Sequence, residues 1–150
     1  MNRYLIGAVA GVIATAIMTI AIEIGKLVGL LRMPPPEQVA VNVTRRVGMT
    51  SRSPEPEFTA GTLVTHHGYG VVVGMLYVAV RRFLPGSSGL AGLVWGAVVW
   101  TTAYLGYLPA LRLYPWPDDD RPSRTVVMIV AHAVYGTTLV ETEKRLRVRM

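Results

Sequence analysis

A few ionisable side chains lie inside long apolar stretches of this chain, where such groups are rare. They are Glu23, His66, His67 and His132. An ionisable side chain at membrane depth costs about 3 kcal/mol or more, so it generally has a partner or a function. Imidazole titrates near neutral pH and also ligates metals. The set is therefore a candidate for handling protons or for holding a cofactor.

Aromatic side chains at matching positions complete a predicted polar pocket. Its proposed members are Glu23, His66, His67, Tyr69, Trp100, Tyr104, His132 and Tyr135. Two imidazoles on facing helices can ligate a metal or haem, and a metal would then use His67, His132 and Glu23. No cofactor is established by these residues. The competing interpretations are a hydrogen-bond network between helices and a proton- or ion-handling site.

Four apolar runs must position these residues. Hydrophobic residues make up 51% of the chain and charged residues only 16%, whereas a soluble domain carries about 25% charged residues. A helix of about 20 residues crosses the hydrocarbon layer, and open sheet edges cannot face lipid. The sequence therefore predicts one all-α domain, an integral membrane four-helix bundle. Its spans are 4–31, 60–80, 88–108 and 123–141, with a polar loop at 32–59.

The spacing along the runs places the polar residues at one depth. At about 1.5 Å per residue, His67 lies roughly 10 Å from the start of the second run and His132 roughly 12 Å from the start of the fourth. The first and third runs cross in the opposite direction, and Glu23 and Tyr104 lie near their ends. All four residues are thus expected in the same half of the membrane.

A short repeat relates the two halves of the chain. The pattern His-x-x-Tyr-Gly occurs at 66–70 in the second run and at 132–136 in the fourth. This predicts two pseudo-repeated helical hairpins of the same orientation. Glycines at intervals of four are expected to form the contacts between helices, because small residues let backbones approach closely. They are Gly7, Gly11, Gly70, Gly74, Gly92, Gly96 and Gly136.

The charge distribution predicts orientation and partners. The short loop with Arg81 and Arg82 and the basic tail from Lys144 onward favour cytoplasmic termini, which puts the pocket in the outer half. Basic residues at the ends of apolar runs fit lipid headgroups rather than nucleic acid. The expected partners are the lipid bilayer and either a second copy or a larger membrane complex. Without cysteine, thiolate chemistry is excluded. No recognisable nucleophile–base motif is present, so an enzyme is the less favoured class.

Several segments together resemble a known group of membrane proteins. They are Gly11–Met18, Met33–Pro35, His67–Gly70, Gly74–Tyr77, Trp100–Leu111 and Ala131–Gly136. They are similar to the YagU-like family of small four-span bacterial inner-membrane proteins. The resemblance implies an inner-membrane protein of unknown biochemical function and supplies no catalytic residues. The predicted role is proton or small-ligand handling in the Glu/His/Tyr pocket. The alternatives are an accessory subunit of a membrane complex and a His-ligated metal or haem protein.

Overall fold

The computed structural model describes residues 2–46, 48 and 60–149, and every regular element within them is helical. The α-helices are α1 (Arg3–Leu27), α2 (Pro35–Arg46), α3 (Ala60–Val80), α4 (Ser88–Thr102), α5 (Leu108–Ala110) and α6 (Pro122–Val148). Shorter helical segments cover Arg81–Phe83, Ala103–Tyr107 and Pro117–Asp119. Four stretches are long and apolar enough to cross a membrane: Arg3–Leu27, Gly61–Phe83, Ser88–Ala110 and Pro122–Val148. The predicted all-α class is confirmed, and so is the presence of four helices that are long and apolar enough to span a membrane.

Local capping sets the bounds of α1. The Asn2 side chain accepts a hydrogen bond from the amide of Tyr4 at 3.0 Å. At the other end Gly29 has a φ of 77°, a left-handed conformation that glycine adopts without steric cost. The Leu30 amide then donates to the carbonyl of Gly25 at 3.0 Å. Part of the predicted 32–59 loop is the helix α2, whereas residues 47 and 49–59 lie outside the described residues.

Two glycine seams join the spans in pairs. Where α1 meets α3, a Cβ added to Gly7 would lie 2.5 Å from the carbonyl oxygen of Gly74. Where α4 meets α6, a Cβ added to Gly92 would lie 2.6 Å from the Cα of Thr137. Real Cβ atoms do not approach so closely, so only glycine allows these separations. The same two seams contain Gly11, Gly70, Gly96 and Gly136.

The central pair of the four spans is α1 and α6. These two helices pack against each other, with α3 on the other side of α1 and α4 on the other side of α6. Among the described residues α3 and α4 have few backbone contacts. Their side chains meet at one end, where the rings of Tyr77 and Trp95 have centroids 5.9 Å apart. Toward the opposite end the two helices separate.

The backbone is irregular where α4 ends. Residues Ala103–Tyr107 form a π-helical segment, and Gly106 within it has φ −115° and ψ −110°. Pro109 has no amide proton, so it cannot donate to the carbonyl of Leu105 as a continuous helix would require. Such backbone is tolerated at membrane depth where it lines a cavity. Ala103 and Tyr107 do line a cavity.

Candidate functional site

A cavity of about 500 Å³ lies between the first half of α3 and the end of α4. Helix α1 contributes Thr15 and Met18 to its lining, and α6 contributes Met128. Helix α2 borders it through residues between Pro35 and Thr44. Cavities of about 300–1,000 Å³ are typical of small-molecule sites in proteins. The separation of α3 from α4 therefore creates space on the scale of a small ligand.

Some of the predicted pocket residues line the cavity and others do not. Its lining includes His66, Tyr69, Trp100, Tyr104, His132 and Tyr135. His67 and Glu23 do not line it. On a helix His67 points about 100° away from His66, which accounts for the split between these neighbours. His67 instead bonds through Nδ1 to the carbonyl of Leu63 at 2.9 Å.

His132 and Tyr135 connect α6 to the wall of the cavity. The Nδ1 atom of His132 lies 2.8 Å from the carbonyl oxygen of Met128. A carbonyl only accepts, so Nδ1 carries the proton and the neutral ring keeps a lone pair on Nε2. The Tyr135 hydroxyl donates to the carbonyl of Gly70 across the bundle at 3.2 Å. His132 is thus held as a hydrogen-bond acceptor with a defined tautomer.

Two ring nitrogens among the lining side chains have no hydrogen-bond partner among the described residues. They are Nε2 of His66 and Nε1 of Trp100, and both atoms are buried. Most buried polar atoms in proteins are paired, and an unpaired one costs about 1–3 kcal/mol. The indole nitrogen can only donate.

Aromatic rings form one end of the cavity. Trp100 stacks on Tyr104 with centroids 5.2 Å apart and an angle of 21° between the planes. Tyr104 also contacts Tyr114, at a centroid distance of 5.5 Å. Near the outer edge the rings of Tyr69 and Tyr107 also line the cavity. These rings give the site flat, apolar walls.

A buried polar network holds that aromatic end in place. Asp120 accepts hydrogen bonds on Oδ2 from the hydroxyls of Tyr104 at 2.5 Å and of Tyr114 at 3.0 Å. Arg124 pairs with Asp120 at 3.3 Å and reaches α2 by donating to Gln38 at 2.8 Å. Burial raises the pKa of Tyr114 above its ordinary value, which keeps its hydroxyl protonated as a donor.

The sequence did not identify this network. Asp118, Asp119 and Asp120 have the composition of a solvated loop, yet the Asp120 side chain is only 2% exposed. By sequence, Arg124 is a charged residue at the edge of an apolar run, and Tyr114 has the position of an aromatic anchor at the membrane interface. No local pattern distinguishes a buried aspartate from exposed neighbours of the same type. Only its long-range partners do so.

Glu23 belongs to a separate charged cluster where α1 meets α2. The Glu37 side chain is 2% exposed, and its Oε1 lies 3.7 Å from Nζ of Lys26. One carboxylate oxygen of Glu23 is buried without a hydrogen-bond partner among the described residues. Burial raises the pKa of Glu37, the positive charge of Lys26 partly offsets this, and the nearby Glu23 adds to the rise. The structure therefore separates Glu23 from the histidines.

The cavity-lining residues in the described part of the chain include no Asp, Glu, Lys or Arg. Among the described residues there is also no group of three or more His, Asp or Glu side chains placed to hold a metal ion. The proposed metal set of His67, His132 and Glu23 is therefore not assembled. The lining suits an uncharged molecule, because a charge inside it would lose hydration without gaining a counter-charge.

The comparisons with known proteins bear on family but not on activity. A family profile matches residues 1–149, nearly the whole chain. The chain belongs to a family of unknown function, DUF6789. No curated protein and no solved structure matches the chain. Membership of this family assigns no reaction to the chain.

Proposed function

We propose that this DUF6789 protein binds a small, uncharged, lipophilic molecule in the cavity between α3 and α4. The observation that carries the proposal is a cavity of about 500 Å³ whose lining, within the described residues, is mostly apolar and aromatic and includes no Asp, Glu, Lys or Arg. The side chains of His66, Trp100 and His132 also line the cavity and are its candidates for directional contacts. Ligand sites of this kind combine mostly apolar surface with a small number of placed polar groups.

The proposed route into the cavity is from the bilayer. Tyr69 and Tyr107 border the cavity and are 40% and 38% exposed. They lie on helical stretches long and apolar enough to cross a membrane, so their exposed sides face lipid in that arrangement. A lipophilic molecule is concentrated in the hydrocarbon layer. It would reach the cavity between these rings without passing through water.

A cavity-filling variant tests the proposal. Ala103 lines the cavity, whereas Ala97 is exposed on the outer face of α4. Ala103→Phe should displace a co-purifying lipophile, and Ala97→Phe should not. The protein would be purified in mild detergent, its bound molecules extracted with organic solvent and compared by mass spectrometry. If wild type and Ala103→Phe carry the same molecules in equal amounts, or neither carries any above a mock purification, the proposal is refuted.

The proposal includes a location and an orientation. The short loop with Arg81 and Arg82, the N-terminus and the basic C-terminal tail lie at the ends of spans that share one side. The positive-inside rule would place this side in the cytoplasm and the cavity in the outer half of an inner membrane. The YagU-like resemblance agrees with this location. Accessibility of cysteines introduced into the tail and into the 81–88 loop would test it.

A second candidate is proton handling, and the Glu23–Lys26–Glu37 cluster favours it. Two carboxylates near a single ammonium group leave one negative charge unbalanced in a mostly buried place. Protonation of one carboxylate removes that charge. Glu37 lies on α2, which also borders the cavity. Protonation of Glu37 would therefore change the position of α2 relative to the cavity. Proton uptake on ligand binding, measured in weakly buffered detergent solution, would support this function. Its absence at every pH would exclude it.

A further inference from the structure

We infer that α2 is a movable cap that closes the cavity against water, an inference that rests on the proposed lipophile-binding function. Opening of the cap would give a bound lipophile a second exit, into the aqueous phase, besides the route to the bilayer. With 12 residues α2 is too short to cross the hydrocarbon layer, and it ends in exposed Arg45 and Arg46. Arginines of this kind belong at the membrane surface. Helix α2 therefore stands between the cavity and water at this end of the spans.

One side of α2 is part of the cavity lining. Its lining residues are Pro35, Pro36, Val39, Ala40, Val43 and Thr44. They form two adjacent rows with a spacing of four residues, which places them on one side of the helix. This side borders open space rather than closely packed side chains. Lifting it therefore breaks fewer van der Waals contacts than separating two spans would.

Polar contacts at the two edges of that side attach α2 to the rest of the protein. At one edge the guanidinium of Arg124 on α6 donates to Gln38 at 2.8 Å, and the Asn42 amide donates to the carbonyl of Leu113 at 2.9 Å. At the other edge the Glu37 carboxylate lies 3.7 Å from the ammonium group near the end of α1. The apolar side of α2 is thus held over the cavity by contacts that lie outside the cavity lining's own apolar surface.

Opening the cap leaves each of these polar groups with a partner. Arg124 keeps its ion pair with Asp120 at 3.3 Å and its hydrogen bond to the Tyr114 hydroxyl at 3.0 Å. The side chains on α2 gain water molecules in place of the bonds they lose, and such an exchange has a small net cost. The glycine seams differ, because backbone atoms of two spans meet there directly. Helix α2 is thus the element that can move while the four spans stay packed.

Introduced thiols measure whether water reaches the cavity. The chain contains no cysteine, so a single introduced cysteine is its only thiol. Ala103→Cys places the thiol in the cavity lining, Ala97→Cys on the exposed outer face of α4, and Arg45→Cys on the exposed surface of α2. Each protein would be reconstituted in lipid nanodiscs and treated with a small, charged, membrane-impermeant methanethiosulfonate. The labelling rate would be followed by mass spectrometry.

Releasing α2 should speed labelling in the cavity alone. Gln38→Ala with Asn42→Ala removes two hydrogen bonds, one of them to a charged group, so the labelling rate at Ala103→Cys should rise about 50-fold. Val41→Ala with Arg46→Ala is the matched control, because neither residue lines the cavity, and it should leave that rate unchanged. In every background the thiol on the outer face of α4 should stay slow, since lipid covers it, and the thiol on the surface of α2 should stay fast.

The cap is overturned if the cavity thiol reacts at the same rate with and without the two substitutions, whether that rate is slow or fast. Should the double variant lose its helical circular dichroism signal, Gln38→Ala alone replaces it, with an expected increase of about tenfold. Labelling uses no ligand and is therefore independent of the extraction experiment. Labelling that depends on α2 without any extracted lipophile would refute the proposed function and keep the cap. A lipophile displaced by Ala103→Phe, with labelling indifferent to α2, would do the reverse.

Discussion

Replacing Gly74 by alanine is expected to destabilise the seam between α1 and α3. A Cβ on Gly74 would lie 3.0 Å from Gly11 Cα and 3.1 Å from the carbonyl carbon of Gly7. Both are backbone atoms, which cannot rotate out of the way as a flexible side chain can. Overpacking costs about 3 kcal/mol at the upper end of its usual range, whereas alanine is favoured over glycine in a helix by about 1 kcal/mol. We therefore expect Gly74→Ala to lower the free energy of unfolding by about 2 kcal/mol.

Gly68→Ala is the matched control in the same helix. A Cβ at Gly68 meets no atom within 4 Å, so only the helix preference of alanine remains, and a gain of about 0.5–1 kcal/mol is expected. Both variants would be unfolded in mixed micelles by increasing the fraction of SDS, with circular dichroism as the signal. If Gly74→Ala unfolds at the same SDS fraction as Gly68→Ala, the seam is not a close backbone contact and the packing argument is refuted.

Three further predictions concern the charged and polar contacts. Burial raises the pKa of Glu37 in the folded protein above its value in the unfolded chain. The Glu37 carboxyl therefore stabilises the folded state fully below the unfolded-state pKa, and this stabilisation is lost as pH rises through the folded-state pKa. In Glu37→Gln, the free energy of unfolding should vary less with pH over this range. Arg81→Met should cost about 1 kcal/mol in SDS unfolding, because it removes the ion pair from another span to buried Glu143, which keeps its pair with Arg147 on its own helix; an unchanged midpoint would contradict this. Tyr104→Phe should cost about 1–2 kcal/mol by removing the hydroxyl bond to the Asp120 carboxylate, and a variant as stable as wild type would show that this bond does not form.

Counting residues along the helices predicted that four polar or aromatic side chains share one depth. His132 and Tyr104 were expected in the same half of the membrane and both line the cavity, whereas His67 and Glu23, expected there too, do not. Depth depends only on the rise per residue, which is a local property. The direction of a side chain around the helix axis depends on how the helix is rotated against its neighbours. That rotation separates His67 from the cavity and sends Glu23 toward α2.

Local sequence patterns did not predict the contacts between distant segments of the chain. Gln38 and Arg124 are hydrogen-bonded although 86 residues separate them. Nothing in the composition around either residue indicates its partner. The same holds for Glu37, whose burial results from the position of α2 against the end of α1. A polar residue in a loop can therefore be exposed to solvent or buried, and only the folded structure determines which.

The sequence by itself determined the four helices and the positions where they can touch. In a chain this apolar, each span must satisfy its backbone hydrogen bonds internally, and glycines at intervals of four mark the faces that can approach closely. Only the tertiary structure decided that α1 pairs with both α3 and α6, while α3 and α4 separate to leave the cavity. Helix formation is a local equilibrium, whereas a cavity is what remains after all the helices have packed. No single segment contains that information.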